Sequence, residues 1–302
     1  MIKNRNIASN AAIDPSKIAG GLGDERFGLH EIFYVCKSTS THQYAWLQEH
    51  VDAGHLVESV TAAVALAGAY DVIKIMPGVY DEGAVIDITQ EGLKIIGSNT
   101  TGFMYGTTSL KASAADHIIF TLSANGIEIA NLSFIQSNAN IVISINSGTT
   151  GSAAVYKNHI HDCHFGSATT TYGIDAGGTW DAVDTIIERC GFVCGANVGV
   201  RMNTTRGAIS DCVFQIGTAG EGIVHTPTTG DRPYTRYLDN KFFTEDSTNS
   251  VGITVTGTPT VGMLLIDGNT FANFADADHC STKRTGYVGL NWFGITGLEI
   301  TT

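Results

Sequence analysis

The stretch Ile160-His161-Asp162-Cys163-His164-Phe165 decides how this chain is read, because its pattern of an aliphatic residue, a turn former in third place and Phe in sixth recurs along the sequence. Ile129-Ala130-Asn131-Leu132-Ser133-Phe134 precedes it. Ile187-Glu188-Arg189-Cys190-Gly191-Phe192 and Ile209-Ser210-Asp211-Cys212-Val213-Phe214 follow, and two more copies read Leu238-Asp239-Asn240-Lys241-Phe242-Phe243 and Ile266-Asp267-Gly268-Asn269-Thr270-Phe271. The Phe-to-Phe steps are 31, 27, 22, 29 and 28 residues. Fixed strand motifs at variable spacing mark a solenoid with insertions at its turns. A weaker register lies between the Phe motifs: Gly173-Ile174, Gly199-Val200, Gly222-Ile223 and Gly252-Ile253. Short strands with one buried face cannot bury it alone, so successive coils must stack to build the core. The expectation is one interior column of Phe134, Phe165, Phe192, Phe214, Phe243 and Phe271. Asn131, Asp162, Asp211 and Asn240 should line up at a turn, where their side chains can hydrogen-bond along the stack.

These features describe a parallel β-helix. The segment Tyr70-Asp71-Val72-Ile73-Lys74-Ile75-Met76-Pro77-Gly78-Val79-Tyr80, with Ala84 to Ile88 and Leu93 to Gly97 after it, resembles the first coil of the pectate-lyase-like right-handed β-helices. The resemblance covers about residues 55 to 275 and implies an all-β chain, a single-stranded right-handed parallel β-helix. It says little about function, because that fold hosts lyases, hydrolases, esterases and non-catalytic viral spikes. His55 to Gly68 is Ala-, Leu- and Val-rich at helical density and should form an N-terminal capping helix over the open end of the solenoid. Residues 1 to 30 have a polar texture and a Gly20-Gly21-Leu22-Gly23 break, and residues 6 to 18 are similar to the amino-terminal segments of bacteriophage virion proteins. The expected organisation is an extended N-terminal arm over 1–30, a linker and capping helix over 31–70, the β-helix over 71–275, and a C-terminal cap or partner-contact segment over 276–302.

The net charge of −12 over 302 residues disfavours nucleic acid and acidic lipid as partners, since neither offers the protein a complementary charge. Charged residues make up 15% of the chain against roughly 25% in ordinary soluble proteins, so much of the outer surface must be neutral polar or buried against partners. No leader-like or membrane-spanning stretch is read near the start. Six cysteines lack the paired spacing of zinc sites. Cys163, Cys190 and Cys212 share one place in three copies and should stack inside as small hydrophobes without disulfides. His159 and His161 should face outward together, as polar surface rather than as a metal site. No cofactor and no metal are expected.

Asp175 and Arg201 each follow a Gly-aliphatic pair and should be neighbours on adjacent coils, where enzymes of this scaffold place charged groups. With no second carboxylate read at that register, the expectation is a solvated surface pair. Trp180, Arg232, Tyr234 and Tyr237 sit in or beside the variable loops, which emerge on one edge, and are candidate receptor or glycan contacts. Ile7, Ile13, Lys17, Ile18 and Leu22 would dock the arm on a partner. The resulting reading is a bacteriophage virion structural protein without catalysis: a capsid decoration, fibre or spike subunit, by resemblance a homotrimer. It would contact other virion proteins and a host surface glycan, sit on the virion surface, and be assembled in the host cytoplasm. The alternatives are a polysaccharide lyase or hydrolase using the Asp175 and Arg201 face, and a non-catalytic carbohydrate-binding protein.

Overall fold

The computed structural model describes residues 30–37, 47, 50–51, 54–98, 108–112, 118–135, 140–145, 155–166, 171–177, 182–203, 206–226, 234–244, 250–256, 263–274, 280–282, 287–288, 291–294 and 298–300. The chain divides into two units, Met1–Glu31 and Ile32–Thr302, and the second holds the solenoid. The candidate docking residues Ile7, Ile13, Lys17, Ile18 and Leu22 lie outside the described residues.

Among the described residues the chain forms three long sheets, of 11, 10 and 8 strands, visited in turn by each coil of a right-handed parallel β-helix. One coil runs through Thr185–Glu188 in the first sheet, Gly191–Gly195 in the second and Val198–Met202 in the third. Strands of successive coils pair in parallel, which a solenoid achieves without crossover helices because the two other sides of each coil make the connection. The first sheet extends upstream of residue 71, because Ile32–Val35 pairs with Val72–Ile75 and carries Leu56–Val57 on its outer edge. At the far end Leu298–Ile300 pairs antiparallel with Asn291–Gly294, ending the parallel stack.

The helix expected at the open end spans Val60–Leu66 and buries Val60, Ala63 and Val64. Ser59 Oγ accepts from the Ala62 N–H at 3.2 Å, and Glu82, from the first strand of the second sheet, accepts from the Val60 N–H at 2.8 Å and the Thr61 hydroxyl at 2.6 Å. Both groups satisfy amide donors that the first helical turn leaves open.

The interior columns form as the repeat requires, with one correction. Phe134, Phe165, Phe192, Phe214, Phe242 and Phe271 stack with ring centroids 4.7 to 5.0 Å apart. Phe243 is not in that column; it pairs with Gln215 and Ala272 and is 39% exposed. The fifth copy is therefore Tyr237-Leu238-Asp239-Asn240-Lys241-Phe242, with buried Tyr237 in the place of Ile209 and Ile266. A Tyr at the aliphatic place and two adjacent Phe residues concealed a shift of one residue, which in a strand exchanges the two faces.

The shift also reassigns the turn. Asn131, Asp162, Arg189, Asp211, Asp239 and Gly268 occupy the left-handed region at φ 57°, 53°, 52°, 53°, 56° and 68°, so the column holds Asp239 rather than Asn240. Asn, Asp and Gly tolerate that conformation best. Asn240 instead continues the buried column of Cys163, Cys190 and Cys212. Its Oδ1 accepts from the Cys212 N–H at 3.0 Å, its Nδ2 donates to the Ile209 carbonyl at 3.0 Å, and Asn269 Oδ1 accepts from the Asn240 N–H at 2.9 Å. The three thiols are buried and free, and burial pushes those of Cys163 and Cys212 well above the usual range. The Gly register has a steric cause. A Cβ on Gly199 would lie 2.7 Å from the Gly222 carbonyl oxygen and 2.8 Å from the Phe214 ring, and the same approach recurs at Gly173 and Gly222, so these coils have no room for a side chain at that place, whereas the coil before them carries Val142 there.

Candidate functional site

Asp175 and Arg201 are register partners on adjacent strands of the third sheet, Tyr172–Ala176 and Val198–Met202. In each strand the residues one position to either side, Ile174 and Ala176, Val200 and Met202, are fully or nearly fully buried in the core, which leaves the charged pair on the outer face. The guanidinium clamps the carboxylate with two parallel bonds, Nε to Oδ1 at 2.7 Å and Nη2 to Oδ2 at 2.5 Å. The Gly177 N–H adds a third donor to Oδ1 at 2.9 Å. Arg201 also lies over the Tyr172 ring, 4.4 Å from its centroid, and Nη1 donates to the Tyr172 hydroxyl at 3.3 Å. Asp175 is only 6% exposed, so the expected solvated surface pair is instead a buried carboxylate under a half-buried guanidinium. The tight packing comes from Gly177, where a Cβ would lie 2.5 Å from Arg201 Nε. Hydrogen bonding to Asp175 raises the Arg201 guanidinium further above its usual value.

Around this pair the same face carries Ser144 on the preceding coil and Val224 and Thr254 on the following ones. Glu221, which bonds the Thr254 hydroxyl at 2.5 Å, was missed in the sequence. It stands at the Tyr172 and Val198 register, one residue before the Gly of its repeat, so its signal is positional rather than chemical.

The other candidates separate. Trp180 and Arg232 lie outside the described residues. Tyr234 is 55% exposed on the outer face of the first sheet, whereas Tyr237, expected at the loop edge, is fully buried and its hydroxyl meets His225 Nδ1 at 2.7 Å. Tyr237 was misplaced by the one-residue shift of the fifth copy. His159 and His161 share the outer face of the first sheet as expected, their rings 4.3 Å apart. His159 Nε2 meets Glu188 at 3.0 Å, and His161 lies between Glu128 and Asp162 at 3.2 and 2.7 Å. Among the described residues no group of three His, Cys, Asp or Glu side chains is arranged to hold a metal ion, and no helix is long and apolar enough to cross a membrane.

The chain is a right-handed parallel β-helix with Asp175, Arg201 and Tyr172 together on one outer sheet, and it shares that fold with pectin methylesterases. The chain superposes on pectin methylesterase from Aspergillus niger with a TM-score of 0.54 at 10% identity, over 78% of this chain and 80% of that one. On the rice weevil pectin methylesterase the TM-score is also 0.54, at 12% identity, over 76% and 79% of the two chains. No protein-family profile and no curated relative matches the sequence.

These likenesses correct the expectation of a non-enzymatic virion subunit on a virion surface, because the fold neighbours at this level are enzymes of a fungus and an insect. A chain of Geobacillus virus E2 superposes at a TM-score of 0.37, at 13% identity over 82% of this chain and 57% of that one, too distant to support a particle component.

Proposed function

We propose that this chain is a polysaccharide-directed enzyme that hydrolyses an ester on a carboxylated sugar polymer at the Asp175, Arg201 and Tyr172 face. The observation that carries this reading is the buried carboxylate held by three donors beneath an arginine that is itself fixed by a tyrosine. A carboxylate so oriented can take a proton from water, the resulting hydroxide adds to the ester carbonyl, and the alcohol leaves with that proton returned to it. Arg201 Nη1 gives one N–H to the Tyr172 hydroxyl and carries a second, which is the donor for a developing oxyanion. The Tyr172 ring gives a sugar an apolar wall.

Glycosidic cleavage is the less favoured chemistry. It needs a second carboxylate within about 5–9.5 Å. Glu221 stands two coils from Asp175 and three register positions to one side, and the strand spacing alone accounts for about 10 Å. The fold supports the ester reading, since pectin methylesterases share it.

The test is release of methanol or acetate from methyl-esterified and acetylated polyuronates. Wild type should turn over at least one, and Asp175→Asn should lower the rate by about 10²–10⁴ with the circular dichroism unchanged. Folded wild type that binds such polymers without turnover, or an Asp175→Asn variant at full rate, would overturn the proposal.

A further inference from the structure

A groove of about 360 Å³ lies on the outer face of the first sheet, away from the third-sheet site. It crosses four successive coils, Thr185–Glu188, Arg206–Ser210, Tyr234–Leu238 and Met263–Asp267, and its volume falls within the roughly 300–1,000 Å³ of small-ligand sites. Ile186, Ala208, Arg236 and Leu265 are one register column, so Arg236 stands between apolar neighbours on the floor of the groove. Tyr234, two residues along the same strand, forms an exposed wall. Arg206 forms the adjacent rim, where Asp184 accepts from its Nε and Nη2 at 2.9 Å each. Arg206 is thereby neutralised and held in place. Arg236 has no ion-pair partner among the described residues, although acidic residues outnumber basic ones by 29 to 17 in the chain.

We infer that this groove is a second, non-catalytic binding site for a carboxylated oligosaccharide. An uncompensated guanidinium on an apolar floor favours a ligand that brings both an anion and an apolar face. A uronate ring does so: its carboxylate meets Arg236 and its C–H face lies on Tyr234, with Ile186, Ala208 and Leu265 beneath. Net charge −12 opposes any long polyanion, so the ligand is a short uronate that sets one carboxylate on the one free arginine of a 360 Å³ groove, rather than a nucleic acid whose binding needs many cationic contacts along its backbone. The inference borrows only the class of polymer from the proposed function. It does not depend on chemistry at Asp175.

The experiment measures binding of an oligogalacturonate by calorimetry to the Asp175→Asn, Arg201→Gln double variant, which removes the charged pair of the third-sheet site. Binding should persist in that background and weaken about tenfold or more on adding Arg236→Gln, with a smaller loss for Tyr234→Ala. In the otherwise wild-type chain Arg236→Gln should leave turnover of a short soluble ester unchanged, which separates this site from the catalytic proposal. No binding in the double variant, or binding indifferent to Arg236→Gln and Tyr234→Ala, would overturn the inference. So would equal competition by poly-glutamate, because the site would then read carboxylate alone. Arg236→Lys keeps the charge and the stem, and partial retention of binding by it, against none by a variant that has lost its circular dichroism, guards against misreading an unfolded protein.

Discussion

Phe192 and Phe243 are the same residue type in the same kind of strand, yet one is interior and the other is 39% exposed. Phe192 is sandwiched between Phe165 and Phe214 at 4.7 and 4.8 Å. Its replacement by Ala leaves a cavity between two rings that the rigid strand spacing cannot close, so Phe192→Ala should cost about 3–5 kcal/mol in urea unfolding. Phe243→Ala removes a ring that water already reaches and should cost less than about 1 kcal/mol. Equal losses at the two positions would restore Phe243 to the column and refute the placement of Phe242 inside it.

At the level of the element, the turn between first and second sheets is held by two kinds of side chain in one column. In the later coils Asn240 and Asn269 bond the backbone of neighbouring coils, while earlier coils place Cys163, Cys190 and Cys212 there. The thiols do the same job more weakly: the Cys190 N–H donates to Cys212 Sγ at 3.4 Å. Asn240→Ala would leave the Cys212 N–H and the Ile209 carbonyl without that partner inside the protein, at a cost of about 1–3 kcal/mol. Asn240→Cys should lie between Ala and wild type in the same unfolding assay. An Ala variant as stable as wild type would mean the column is filler rather than a hydrogen-bonded ladder.

Across the whole molecule, coils are also tied from outside by a chain of charges on the first sheet. Lys94 meets Glu128 at 2.7 Å, His161 joins Glu128 to Asp162, and Arg189 bonds Asp162 at 2.9 Å and Glu188 at 2.7 Å. Hydrogen bonds from Arg189 are the main cause holding Asp162 below the usual carboxylate range, and Glu188 is held low by Arg189 and His159 against the opposite push of burial. A carboxylate with a depressed folded value stabilises the fold above its unfolded value of about 4 and loses that contribution as pH falls through the folded value. The urea midpoint of wild type should therefore exceed that of Arg189→Gln at pH 7, and the gap should narrow as pH falls below about 4. Exposure and salt keep it small, so it should also shrink in high salt. A gap that does not narrow at all as pH falls below about 4 would place the role of Arg189 in its packing rather than in its charge.

The repeat Ile160 to Phe165 and its copies determined the solenoid, the stacked Phe and Cys columns and the adjacency of Asp175 and Arg201, because a parallel β-helix turns sequence period directly into contact between coils. The capping helix was legible for the same reason, as an apolar run at another period. The one-residue register of the fifth copy was not, since Tyr237, Phe242 and Phe243 satisfy the pattern in either alignment and only burial against neighbouring coils separates them. Nor was the burial of Asp175, which depends on the absence of a side chain at Gly177 and on the arginine folding back over Tyr172. The groove around Arg236 draws one strand from each of four coils, a juxtaposition that no local stretch of sequence contains. Period fixed which residues are neighbours along the axis; only packing decided which of them face water.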